Sequence, residues 1–346
     1  MTLKIAIIGD RFMLSSTFET AIREVCPVPI EIRTLDLDFP DVPMRQGRQD
    51  DGTAGLKEFL GDPEPIAEFI GDAELLVTHL APLSGAMLKR LPNLKMVAVA
   101  RGGPVNVDIA AVRERKLRIV NTPGRNATAV AEFTIGAILS QTHNITRGHD
   151  GLRVGQWRGE LYRADITGDE LCDMTVGVVG YSEIGRLVVK YLQVFGCRIL
   201  IADPYVEVRP EDAEYGVEKV DLDDLLARAD VVTLHARLTP ETRGFIDAAA
   251  FSRMKKGVVL VNTARGELVE LDALVAALKS GHLHGAALDT FAVEPPPADW
   301  PLLKLENVTM TPHIAGASLR TVRVTAAKVA EEIRRYVTNE PPVNPC

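Results

Sequence analysis

The sequence predicts an α/β protein of two domains, each built on a parallel sheet. Short β-branched apolar runs alternate with helical stretches along 346 residues, and 46% of the residues are hydrophobic and 25% charged, enough for two cores. The third observation is a complete strand, glycine turn, helix and strand at 175–205. In that stretch Val176, Val178 and Val179 suit a buried parallel strand. Leu187, Val188, Leu192 and Phe195 then repeat at helical spacing, and Gly196 supplies the stop.

The turn of this unit runs from Gly180 to Gly185, where a helix amino terminus offers unpaired N–H groups to an anion such as a pyrophosphate. Asp203 ends the second strand, so its carboxylate can accept from ribose hydroxyls and repel a 2′-phosphate, which favours NAD over NADP. The Gly-x-Gly-x-x-Gly pattern is incomplete. Ser182 replaces the middle glycine and the acidic Glu183 follows, ahead of Ile184; both changes work against a pyrophosphate, although the serine hydroxyl can donate to one. The same residues brush against a Gly-x-Ser-x-Gly nucleophile elbow, but Ile184 stands where that elbow needs glycine, and the hydrolase reading is discarded.

A net charge of −8 and a pI near 5.5, with no basic tract, argue against nucleic acid as a partner. Cys26, Cys172, Cys197 and Cys346 have neither zinc spacing nor the density of a disulfide scaffold, and they suggest a reducing cytoplasm. The amino terminus leads directly into a strand, and no apolar run approaches membrane-spanning length, so no membrane role or export is expected.

Strands are expected at 4–8, 30–34, 74–78, 95–99 and 118–120, with helices near 18–25, 66–70, 85–91 and 109–115. Between Leu35 and Pro65 the chain turns polar and irregular, with Pro40, Pro43, Gly47 and Gly52, and reads as a surface insertion in preference to a functional lid. A long helix is expected over 127–145, with an apolar surface that invites a dimer contact. Six further strands follow at 175–179, 198–202, 231–234, 258–262, 286–288 and 308–310; they describe a Rossmann sheet, and a last helix spans 318–337.

Ligands of open parallel sheets sit at the carboxyl ends of strands. Three such loops carry chemistry: Thr263-Ala264-Arg265-Gly266, Asp289-Thr290-Phe291-Ala292-Val293-Glu294 and Thr311-Pro312-His313. Hydride exchange between a nicotinamide and a 2-hydroxy acid needs a proton acceptor, a cation for the carboxylate and a group that tunes the base. His313, Arg265 and Glu294 supply them. Singly, a loop arginine is solvated and a glutamate before proline is a turn residue; their coincidence on successive strand ends is what points to a site.

With these motifs, together with Asn121-Thr122-Pro123-Gly124-Arg125-Asn126, Ala229-Asp230-Val231-Val232-Thr233-Leu234-His235 and Thr311-Pro312-His313-Ile314-Ala315-Gly316, the chain resembles the D-isomer-specific 2-hydroxyacid dehydrogenases, phosphoglycerate dehydrogenase among them. The resemblance implies that Arg265 binds substrate, Glu294 is the carboxylate partner and His313 the acid/base. It places Thr263, Asp289 and Gly316 along the cofactor groove. The domain plan it implies is a flavodoxin-like, discontinuous substrate or lid domain of residues 1–120 completed by 318–346, and a doubly wound NAD-binding domain of 121–317. Hinge closure over the cleft and a homodimer through the central domain come with it. The expected reaction is reduction of a 2-keto acid by NADH; the alternative from another class is a non-catalytic, NAD(H)-responsive corepressor-type protein. With the chain ending at Cys346, the regulatory domain of long phosphoglycerate dehydrogenases is not expected, which leaves phosphoglycerate itself open as a substrate.

Departures narrow the reading. Formate dehydrogenases carry glutamine where Glu294 stands, which disfavours that member. In the substrate loop, Ala100-Arg101-Gly102-Gly103-Pro104-Val105, Arg101 replaces a glycine and Val105 an aspartate; a second cation there suits a substrate with a second anionic group. His79, after the 74–78 strand, joins Arg101, Gly102 and Gly103 as a substrate contact, while His235 is expected to shape the nicotinamide side. Trp157, Arg158, Tyr162 and Arg163 form a patch able to reach a neighbouring subunit. His282-x-His284 lacks a nearby carboxylate or cysteine and is read as a turn before a strand, so no metal is expected.

Overall fold

The structure is a computed structural model and describes residues 2–39 and 44–346. The chain divides into two compact units, residues 1–126 with 317–346, and residues 127–316. The breaks fall at Asn126/Ala127 and Gly316/Ala317, against the expected 121 and 318.

The first unit carries five parallel strands, β1 (Leu3–Asp10), β2 (Ile30–Leu37), β3 (Leu75–Thr78), β4 (Met96–Val99) and β5 (Arg118–Val120), in the order β2-β1-β3-β4-β5. This is the flavodoxin-like order, in which β1 and β3 flank the point where the winding reverses. Strands β3 and β4 are buried at every position, as expected of a sheet covered on both faces. One face packs Phe18 and Ile22 of the Ser15–Val25 helix against Val322, Ala326, Val329 and Ile333 of the Leu319–Val337 helix. The other packs Ile66, Ile70, Met87, Leu88 and Val112. Each such aliphatic side chain, fully buried, stabilises by about 1.5–3 kcal/mol. Ser318 caps the last helix by accepting from the Thr321 N–H, which fixes where the chain re-enters this unit.

Residues 44–60 keep exposed polar positions, as the composition suggests, but the segment is also anchored. Leu56, Phe59 and Leu60 are buried, Lys57 N–H donates to the Val105 carbonyl at 2.9 Å, and Leu60 N–H donates to Leu80 at 3.0 Å. The segment is therefore laid across the loops that follow β3 and β4. Its apolar residues at i, i+3 and i+4 were the signal. Pro40 and Pro43 lie outside the described residues.

The second unit carries β6 (Thr175–Val179), β7 (Arg198–Ala202), β8 (Glu218–Lys219), β9 (Val231–Leu234), β10 (Val258–Asn262), β11 (Leu283–Leu288) and β12 (Val308–Met310), all parallel, in the order β12-β11-β10-β9-β6-β7-β8. Reversal at β6 gives the doubly wound Rossmann arrangement. Seven strands replace the six expected, because β8 is two polar residues with no apolar run to announce it. Strand β11 starts at Leu283, so His284 lies within it and the turn ends at His282. The long helix stops at Thr142 and a second begins at Ile145, with Asn144 left-handed between them at φ 52°. No helix among the described residues is long and apolar enough to cross a membrane.

Candidate active site

The carboxyl ends of β10, β11 and β12 hold the three loops picked from sequence. Asn262 ends β10, and its side chain ties the next loop down: Oδ1 accepts from Ala264 N–H at 3.0 Å, and Nδ2 donates to the Arg265 carbonyl at 2.8 Å. Gly266 lets this loop close on its neighbour. A Cβ there would stand 2.1 Å from the Phe291 carbonyl carbon, so only glycine fits. The Phe291 N–H in turn donates to Glu294 Oε1 at 2.9 Å, and Glu294 Oε2 meets His313 Nδ1 at 2.9 Å.

Asp289 secures the third loop. It is 1% exposed, and its two oxygens accept from Thr311 Oγ1 (2.6 Å), Ile314 N–H (2.9 Å) and Ala315 N–H (2.9 Å). These bonds hold His313 in the left-handed region, at φ 54°, a conformation a non-glycine residue keeps only when its surroundings impose it. The carboxylate expected along the cofactor groove is thus turned into the histidine loop.

Since Glu294 is a carboxylate, His313 Nδ1 carries the proton and Nε2 is left for a ligand. The hydrogen bond to Glu294 holds the imidazole pKa above its ordinary value, against the opposing pull of burial and of the Arg265 charge. Burial raises the Glu294 pKa, but the His313 hydrogen bond and charge outweigh it, so the carboxyl stays below its usual range. Arg265 donates through Nη1 to the Ala264 carbonyl at 2.6 Å, and the rest of its fork stays open to a carboxylate.

On the same carboxyl edge, after β6, the glycine turn retains what an anion needs. Ser182 is the N-cap of the Glu183–Gln193 helix, yet its hydroxyl makes no capping bond, so the first N–H groups of that helix lack a side-chain partner. Gly185 packs helix on strand, since a Cβ would lie 2.1 Å from the Gly180 carbonyl oxygen; Gly180 is itself left-handed at φ 93°. Glu183 and Ser182 are exposed, and Ile184 packs into the core. Asp203 accepts from Tyr181 N–H (2.8 Å), Tyr205 N–H (2.9 Å) and Val206 N–H (3.2 Å), which pins a half-exposed carboxylate beside the turn. Tyr181, missed in the sequence, fills the space beneath that turn with its hydroxyl on buried Asp212.

In the second unit, two buried polar atoms just past strand ends lack a partner among the described residues: His235 Nδ1, after β9, and Thr290 Oγ1, after β11. Burial pushes the His235 pKa down to about 3, so this histidine is neutral, with Nε2 3.0 Å from Thr233 Oγ1. Thr263 turns its hydroxyl to Thr134 at 3.0 Å, and Gly316 closes the unit. Orphaned polar atoms, an uncapped helix and a pinned acidic residue fit a dinucleotide.

The first unit holds the remaining candidates, and it groups them at the carboxyl ends of its strands. Arg101 donates to the Glu58 carbonyl at 3.0 Å and pairs with the Glu58 carboxylate. Gly102 receives Asn121 Nδ2 at 2.9 Å, and Gly103 is open around its Cα. His79 is buried against Asp10, Nδ1 to Oδ2 at 2.5 Å.

A Rossmann sheet whose carboxyl edge carries an arginine and a carboxylate-backed histidine defines the class of nicotinamide-dependent dehydrogenase folds. Residues 135–315 match the family "D-isomer specific 2-hydroxyacid dehydrogenase, NAD binding domain". D-3-phosphoglycerate dehydrogenase of Mycobacterium leprae is 38% identical over 266 residues, 77% of this chain and 49% of that protein. Glyoxylate reductase of Korarchaeum cryptofilum is 37% identical over 282 residues, 81% of this chain and 84% of that one. The structure of NAD-dependent formate dehydrogenase from Staphylococcus aureus in complex with NAD superposes with a TM-score of 0.74 at 28% identity, covering 98% and 96% of the two chains. The chain belongs to the D-isomer-specific 2-hydroxyacid dehydrogenase family, and it spans about half the length of the phosphoglycerate dehydrogenases it matches.

Proposed function

We propose that this chain is an NAD-dependent D-2-hydroxyacid dehydrogenase, working between a 2-keto acid and the corresponding D-2-hydroxy acid. The observation that carries the reading is the His313–Glu294 contact of 2.9 Å with Arg265 on the neighbouring loop. Arg265 grips the substrate carboxylate with its planar fork and orients the carbonyl. His313 Nε2 gives its proton to the carbonyl oxygen as charge develops there, and Glu294 stabilises the imidazolium before transfer and holds the ring. Bound NADH supplies the hydride. The uncapped Glu183–Gln193 helix and Gly180–Gly185 turn would hold the pyrophosphate, and Asp203 the adenosine ribose. An intact acid/base pair favours turnover over the non-catalytic, NAD(H)-responsive reading.

The first unit, with Arg101, Gly102, Gly103 and His79, is the substrate-binding or lid domain in this proposal, and residues 127–316 bind the cofactor. A cytoplasmic setting agrees with four cysteines, none in a disulfide. A homodimer agrees with the exposed apolar residues of 145–162.

The test is loss of absorbance at about 340 nm on NADH oxidation over a panel of 2-keto acids, with His313→Ala and NADPH as controls. The reading expects turnover that His313→Ala abolishes and that NADH supports better than NADPH. No turnover of any 2-keto acid, with NADH still stabilising the fold, would move the function to the binding-protein reading.

A further inference from the structure

Resting on the dehydrogenase reading, we infer that Arg125, held by an Asp10–His79 relay at the winding reversal of the first unit, is the cation that binds a second anionic group, carboxylate or phosphate, on the substrate.

The relay starts from a fixed carboxylate. Asp10 ends β1, is fully buried, and accepts at Oδ1 from Phe12 N–H and Met13 N–H, both at 2.9 Å. Its Oδ2 faces His79 Nδ1, one residue past β3. Arg125 Nη2 lies 3.4 Å from His79 Nε2, and a guanidinium only donates, so Nε2 accepts and the single ring proton sits on Nδ1 toward Asp10. His79 is therefore neutral. Burial and the nearby Arg125 and Arg101 charges hold its pKa below the ordinary value, against the pull of Asp10.

The guanidiniums at this edge differ in what already satisfies them, and Arg11, the residue after β1, is paired with Asp38 at 3.1 Å. Arg101 is spent on the carboxylate and carbonyl of Glu58, a residue held at φ 49°. Among the described residues Arg125 makes polar contacts with Met13 Sδ, at 3.8 Å, and His79, and has no carboxylate partner within hydrogen-bond distance. A guanidinium carries five N–H donors, so most of those on Arg125 are unused. Burial, then repulsion from Arg101, pushes its pKa down to about 10; an anion would relieve that cost. β1 and β3 flank the reversal in the order β2-β1-β3-β4-β5, which is where open parallel sheets take ligands. Sequence reading assigned the second cation to Arg101; the contacts assign it to Arg125.

The test is calorimetric titration of the full chain with malonate, inorganic phosphate and acetate, for wild type, Arg125→Gln, Arg125→Lys, His79→Phe and Arg265→Gln, with melting temperatures recorded. The two dianions are expected to bind wild type more tightly than acetate. Arg125→Gln should lose about 10- to 100-fold of the dianion affinity, the range for a charge-assisted hydrogen bond, and Arg125→Lys should recover part of it. Arg265→Gln should keep the dianion preference. His79→Phe, which fills the ring space without an acceptor, should narrow the ratio of dianion to acetate affinity, a readout that simple destabilisation does not move. Equal dianion affinity in wild type and Arg125→Gln, or no dianion preference in wild type, would overturn the inference.

A kinetic arm separates it from the reading it rests on. In Arg125→Gln, kcat/KM should fall further for oxaloacetate than for pyruvate. Turnover with unchanged discrimination would sink the anion site and leave the dehydrogenase standing. Dianion binding lost in Arg125→Gln, in a chain that turns over no 2-keto acid, would do the reverse.

Discussion

His313 and Glu294 form a pair whose protonation can be followed. Because the hydrogen bond to Glu294 raises the imidazole pKa, the protonated ring that keto-acid reduction needs persists to a higher pH than the ordinary value near 6.5 allows. The sign follows directly: reductive kcat/KM is flat at low pH and falls as pH rises through the raised pKa. In Glu294→Gln the largest raising cause is gone, while burial and Arg265 still lower the pKa, so the falling limb moves to lower pH. A pH profile of kcat/KM in both forms measures this, and an unmoved limb would mean that Glu294 does not tune the base. These residues were legible because each follows an apolar strand whose end is easy to place. What a carboxylate turns toward is not written in its neighbours. Asp289 was expected along the cofactor groove and instead binds three donors of the histidine loop, and Arg125, inside a motif quoted whole, stood out only once its partners were visible.

At the scale of elements, the site depends on loops being brought close, and glycine decides how close. Gly266→Ala would drive a methyl group into the Phe291–Ala292 backbone, 2.1 Å from the Phe291 carbon, so the Arg265 loop must withdraw from the loop that carries Glu294. Overpacking of this kind costs about 1–3 kcal/mol. The variant should melt several degrees lower by calorimetry and lose reductive kcat/KM, and an unchanged melting temperature would show that the loop has slack. Strands β6, β7, β9, β10 and β12 were placed to the residue because buried parallel strands are continuous apolar runs. β8 has no such run, and the break at Asn144 depends on a left-handed residue inside an otherwise helical stretch. The polar residues over 44–60 announced an exposed segment, while Leu56, Phe59 and Leu60 carried the spacing of the face that anchors it.

For the whole molecule the question is what covers the apolar surface at 145–162. Trp157 is 85% exposed, Tyr162 95%, Val154 71% and Leu152 59%, within a stretch of eleven residues. Scattered exposed apolar side chains are ordinary, but four within eleven residues, a nearly bare tryptophan and tyrosine among them, suit an interaction surface, and those two residue types are enriched in the cores of interfaces. The neighbouring Ala127–Thr142 helix has exposed Gly136, beside Phe133, Ile135 and Leu139, which are partly buried against the core of their own unit. A second copy of the chain is the partner proposed, through a face that a two-fold axis makes self-complementary. Sedimentation of the purified chain should give a dimer near twice 37.7 kDa. Leu152→Asp combined with Trp157→Asp places two charges in that face, and such desolvated charges should release monomers whose second unit still binds NADH. If wild type sediments as a monomer at micromolar concentration, the cluster is not a dimer face; if the double variant stays dimeric, the two copies meet elsewhere.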